Sequence, residues 1–156
     1  MAENYLYAGI EKALAENGEI VATNSGISMY PMLRHRKDMI VIEQVKRPLK
    51  RCDVPLYRLD SGKLVLHRIL KVTPECYIIR GDNLTVKEYI KPEQVIGVLK
   101  EFYRNGKRVD CKTSKKYKLY VFWIMHSYPL RYVWIKFLLP LLVKIKHAIF
   151  GYKKGN

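Results

Sequence analysis

Val95-Ile96-Gly97-Val98-Leu99-Lys100-Glu101-Phe102-Tyr103, running into Arg104-Asn105-Gly106-Lys107-Arg108-Val109, decides the fold class. The first nine residues are rich in β-branched and aromatic side chains. Asn-Gly is the pair that a two-residue hairpin turn favours, because both central residues need positive φ. Working outward, similar short β-type runs recur at Ile20-Val21-Ala22, Met39-Ile40-Val41-Ile42, Leu64-Val65-Leu66 and Tyr77-Ile78-Ile79, with turn formers at Asp60-Ser61-Gly62 and Thr73-Pro74. Many short strands separated by tight turns predict a mainly β, mostly antiparallel domain. Ahead of it, Tyr7, Ile10, Ala13 and Leu14 fall at helical spacing. A short helix over about Glu3–Glu16 is therefore predicted, stopped by Asn17-Gly18.

The chain has 156 residues, 49% of them hydrophobic, enough to bury one core. Its formal charge of +15 is uneven: residues 103–156 hold 13 Lys/Arg and the single acid Asp110, while the first 102 residues are nearly balanced. Such a basic segment predicts an anionic partner, membrane or nucleic acid. In the tail, Leu119–Met125, Tyr132–Ile135 and Phe137–Val143 are apolar runs interrupted by Arg131, Lys136, Lys144 and Lys146. Trp123 and Trp134 lie among them, and Pro140 is expected to kink a helix there. C-terminal amphipathic helices in a membrane-associating tail are the expectation, because large apolar residues alternate with an almost purely cationic set. The expected organisation is thus an N-terminal helix over 1–18, a β domain over 19–112 and a basic tail over 113–156. The start MAENYLYAGIEKAL carries acids and is no secretory signal, and no 18-residue uncharged apolar stretch occurs. Cys52, Cys76 and Cys111 are odd in number and widely spaced. With no glycine-rich phosphate loop, HExxH or CxxC, neither metal nor nucleotide cofactor is expected.

Three short boxes carry candidate chemistry. In Ser25-Gly26-Ile27-Ser28-Met29-Tyr30-Pro31-Met32, Ser28 sits where a strand ends and turns, a setting that exposes a hydroxyl and aims backbone N–H groups at a carbonyl oxygen. A serine needs a base. His67 interrupts the apolar run Leu64–Ile69, and alternation puts it on the face of Val65 and Ile69, among core residues. His35, His126 and His147 lie in charged or tail contexts. Arg80-Gly81-Asp82-Asn83 reads as a turn whose aspartate is able to hold a histidine's second nitrogen.

Taken in order, Ser28-Met29-x-Pro31, His67-Arg68, Gly81-Asp82-Asn83 and Val95-Ile96-Gly97 resemble the signal peptidase family. The likeness is to its serine–histidine branch of endoplasmic-reticulum and archaeal type, and spans roughly Val21 to Leu99. The resemblance implies a signal-peptidase-like antiparallel β-roll. It also implies Ser28 as nucleophile, His67 as general base and Asp82 as the group orienting or balancing the histidine. Gly26, Met29 and Pro31 would belong to the oxyanion and substrate-binding turn, together with the Ser28 N–H. The expected substrate is a signal or leader segment of a pre-protein or peptide, cut after small residues, with a peptide exporter as a possible further partner. Three departures stand out. Lys37-Asp38 and Cys52-Asp53 occur where the family has Gly-Asp, and Leu84-Thr85-Val86-Lys87-Glu88 has no aspartate where the branch has a second one. The 27 residues before Ser28 do not span a membrane and are too few for the DNA-binding domain of a self-cleaving repressor. A nucleic-acid partner is accordingly not expected. The alternatives are an inactive peptide-binding accessory module with the same fold and, ranked behind it, a nucleic-acid-binding protein.

Overall fold

The structure, a computed structural model, describes residues 2–138 and 140–141, with side chains over residues 9–130, 132, 133, 136–138, 140 and 141. It is mainly β, as the runs and turns predict. Helix α1 (Ala2–Asn17) leads into β1 (Glu19–Thr23), β2 (Met39–Glu43), β3 (Pro55–Arg58) and β4 (Leu64–Leu66). Then follow β5 (Arg68–Val72), β6 (Tyr77–Arg80), β7 (Glu88–Ile90), β8 (Val95–Arg104) and β9 (Lys107–Asp110). Helices α2 (Lys115–His126) and α3 (Tyr128–Val133) close the described chain, and α3 runs on into a π-helical turn over Trp134–Leu138. All the pairings are antiparallel.

Strand β8 organises the larger sheet. One edge pairs with β2, and the other takes β3 at its start and β9 at its end, giving the order β1-β2-β8-β3-β4 with β9 beside β8. The register slips at Val41/Ile42 and at Leu56/Tyr57, and such bulges bend strands. The sheet curls into a half-barrel but does not close, with β1 and β4 at its two ends. A second sheet holds β5, β6 and β7. The turn between β8 and β9 has φ of 51° at Asn105 and 74° at Gly106, the conformation that the Asn-Gly pair announces.

One core cluster joins Leu14 of α1, Ile40, Ile42, Leu56, Leu66, Leu99 and Phe102 of the larger sheet and Tyr117 of α2; a second joins Tyr57 and Val98 to Ile69, Ile79 and Ile90 of the smaller sheet. Gly97 lets helix and sheet close: a methyl group there would lie 2.6 Å from Ile42 Cγ2 and 2.9 Å from Leu14 Cδ2. Leu14 is 2% exposed, and burial of that size stabilises by about 1.5–3 kcal/mol.

The tail departs from expectation. No described helix is long and apolar enough to cross a membrane, and the membrane-associated assignment is withdrawn. The C-terminal helices expected from the sequence are present: the described apolar residues of the tail fall mainly in α2, α3 and the π turn, and α2 buries Tyr117 and Ile124. Ser114 caps α2, its hydroxyl accepting the Tyr117 N–H. The π turn over Trp134–Leu138 falls just ahead of Pro140. The Trp134 side chain and all of residues 142–156, with Lys144, Lys146 and His147, lie outside the described residues.

Candidate active site

Ser28 belongs to the turn that follows β1. Buried Met29, Met32 and Leu33 anchor this turn in the core, while Ile27 and Tyr30 on either side of Ser28 are exposed. Ser28 itself is half-buried. The turn is held from outside by the loop after β6: the Asn83 N–H donates to the Ser28 carbonyl at 2.7 Å, and the Asn83 side-chain amide donates to the Ile27 carbonyl at 3.3 Å. Among the described residues, neither the Ser28 nor the Met29 N–H donates a hydrogen bond. The Gly26 N–H differs: it donates to His35 Nδ1 at 2.8 Å. Met29 is 2% exposed, so only its backbone can face a ligand. The Tyr30–Pro31 peptide bond is cis, and the Pro31 carbonyl accepts from Arg104.

His67 is not inside one strand. It is the residue at which the chain leaves the larger sheet (β4) and enters the smaller one (β5). Alternation nonetheless holds through the crossing: Leu64 and Leu66 pack in the first core cluster and Arg68 bonds to Met32 and Tyr117 of it, while Val65 and Ile69 pack in the second and His67 meets Tyr57 there. His67 is itself buried, at 4% exposure. Its ring approaches the Ser28 turn through Gly81. A methyl group built on Gly81 would lie 2.7 Å from the Ser28 carbonyl oxygen and 3.1 Å from Cδ2 of His67. Two residues far apart in sequence thus converge on one glycine, and only glycine fits between them. No hydrogen bond joins the Ser28 hydroxyl to the His67 ring among the described residues.

The other ring edge is fully engaged. Nδ1 lies 2.9 Å from the Tyr57 hydroxyl and 2.9 Å from Oε2 of Glu88, and the Tyr57 hydroxyl donates to that same carboxylate oxygen. Burial, and then the Glu88 hydrogen bond, push the Tyr57 phenol well above its ordinary pKa, so it keeps its proton. Neither Tyr57 nor Glu88 was singled out by the sequence reading. The signal for Glu88 was present: Leu84–Glu88 lacks an aspartate, but a carboxylate one methylene longer stands at its end.

Asp82 has different partners from the expected one. Its two oxygens accept from Arg68 Nε at 2.8 Å and Arg68 Nη2 at 2.7 Å, and Tyr120 donates to it at 2.9 Å. Arg68 further donates from Nη1 to the Cys52 carbonyl and the Tyr117 hydroxyl, both at 3.1 Å. Burial alone would weaken the guanidinium, but Asp82 overcomes it and holds Arg68 firmly charged. Asp82 is 3% exposed, and the charge it balances is that of Arg68, the neighbour of His67, where the resemblance implies the histidine itself.

The two positions at which the resembled family carries glycine have separate outcomes. Cys52 takes φ of 78°, a left-handed conformation that glycine adopts without strain, and its N–H is held by the Ile69 carbonyl. Lys37 has no such backbone, and Asp38 after it is buried and bidentate to Arg34. Cys76 lies in the β5–β6 turn against the Thr73 hydroxyl. No group of three metal-ligating side chains occurs among the described residues. Set against known proteins, the chain matches no family model and no curated protein.

Proposed function

We propose that the protein is a serine endopeptidase of signal-peptidase type, with Ser28 as nucleophile and His67 as its base. The observation that carries this reading is the convergence of the Ser28 turn and the His67 ring on Gly81. Support also comes from the undonated Ser28 and Met29 N–H groups, which suit an oxyanion. The order of the Ser28-Met29-x-Pro31, His67-Arg68 and Gly81-Asp82-Asn83 boxes agrees with it, and a half-barrel sheet is compatible with a signal-peptidase-like β-roll.

In this mechanism Ser28 Oγ attacks the scissile carbonyl carbon and its proton passes to Nε2 of His67. The tetrahedral intermediate collapses as Nε2 returns that proton to the leaving amine. Water then enters, His67 takes its proton, and the ester on Ser28 is hydrolysed. The substrate is a leader or signal segment of a pre-protein or peptide. Its binding draws the hydroxyl and the imidazole together, since catalytic hydrogen bonds are often loose without substrate.

A second reading, a peptide-binding module without turnover, is favoured by the missing Ser28–His67 hydrogen bond and the 4% exposure of His67. One experiment separates them. The purified protein is treated with a fluorophosphonate probe, then with a diverse peptide library read by mass spectrometry. The peptidase reading expects labelling at Ser28 and cleavage, both lost on Ser28→Ala by a factor on the order of 10⁴–10⁶. Peptide capture with neither labelling nor cleavage in the wild type identifies the module instead.

A further inference from the structure

We propose that Glu88 is the residue that positions His67, and that Tyr57 locks the Glu88 carboxylate onto the ring. This rests on the peptidase reading and supplies the orienting group that Asp82, closed on Arg68 and Tyr120, does not provide.

The geometry leaves one proton arrangement. Tyr57 lies in β3 of the larger sheet, Glu88 opens β7 of the smaller sheet, and His67 sits at the crossing between them. The two sheets therefore clamp one imidazole edge from both sides. The Tyr57 O–H donates to Glu88 Oε2, so its oxygen offers Nδ1 only lone pairs. Glu88 Oε2, which accepts the Tyr57 proton, likewise offers Nδ1 only lone pairs. Nδ1, 2.9 Å from both oxygens, must be the protonated nitrogen. Nε2, one bond from the Cδ2 that faces Gly81, then holds the free lone pair a base needs. Tyr57 has the opposite effect without Glu88. Its freed O–H donates to Nδ1, the proton moves to Nε2, and the ring loses its ability to accept a proton on that side. Glutamine at position 88 brings an amide donor to the same place.

The test is ¹⁵N NMR of the His67 ring at neutral pH, assigned with a His67→Gln variant. The wild type is expected to show protonated Nδ1 and unprotonated Nε2, and an Nε2–H tautomer there overturns the proposal without any variant at position 88. Glu88→Gln is expected to shift the ring to Nε2–H and to slow fluorophosphonate labelling of Ser28 by about 10²–10⁴. Glu88→Asp, which keeps an acceptor, is expected to retain the Nδ1–H tautomer and recover at least tenfold of that rate, and Tyr57→Phe is expected to retain the tautomer with a loss of about tenfold or less. A Glu88→Gln protein with the wild-type tautomer overturns the proposal. If the wild type is never labelled at Ser28, the peptidase reading fails, and the tautomer measurements still decide the role of Glu88.

Discussion

His67 and Arg68 are consecutive, and each is bonded to a carboxylate, yet the two pairs live under opposite conditions. Arg68 and Asp82 have side chains 0% and 3% exposed, joined by two parallel hydrogen bonds and buttressed by Tyr117 and Tyr120. His67 and Glu88 share a single bond, and the Glu88 side chain is 34% exposed. A permanent cation with a bidentate partner gives a fixed joint. An imidazole bonded along one edge to a partly exposed carboxylate is held less rigidly. Adjacent residues therefore differ in how they are held: Arg68 is tied into the framework on every side, while His67, the base in the proposed reading, is bonded along one ring edge only.

The largest expected effect that tests this division is on Asp82. Asp82→Asn leaves a fully buried guanidinium uncompensated and should destabilise the protein by about 3–5 kcal/mol in urea unfolding. Glu88→Gln should cost less than about 1 kcal/mol in the same titration, since its carboxylate is partly solvated. Equal costs would erase the distinction. Next, Gly81→Ala forces a methyl group against the Ser28 carbonyl, which the Asn83 N–H already holds at 2.7 Å. A loss of about 1–3 kcal/mol is expected, with labelling of Ser28 falling further than stability alone explains. Tyr120→Phe removes one donor from Asp82 but leaves both Arg68 bonds, for a cost of about 1.5 kcal/mol by thermal unfolding. The smallest effect is on the joint's outer rim. Cys52→Gly relieves the left-handed backbone whose carbonyl Arg68 holds, and should raise stability by up to about 1 kcal/mol.

The strands with strong β composition and turn punctuation were legible in the sequence, above all Val95–Tyr103 and the Asn105-Gly106 turn. Strand β3 was not, because it opens on Pro55 and its first three residues are all buried, so no alternation marks it. Strand β7 is only three residues long. For the site, the serine and histidine boxes were readable from their composition and order. The partners of His67 were not, because they depend on where the chain changes sheets. A continuous strand through residues 64–69 hides that crossing, and with it the reach of Tyr57 and Glu88 to the same nitrogen. Asp82 misled for a related reason: a buried carboxylate two turns of logic from a histidine has a closer suitor in the arginine beside it.

Tyr117, Tyr120 and Tyr128 all come from the helices after the β domain, and all three touch the Arg68 and Gly81–Thr85 region; Tyr128 also stacks under Arg80 at 3.6 Å. The loop that seats Ser28 is thus steadied by helices that follow the whole β domain in the sequence. Until residue 128 has emerged, the nascent molecule carries every box of its proposed chemistry without the braces that align them.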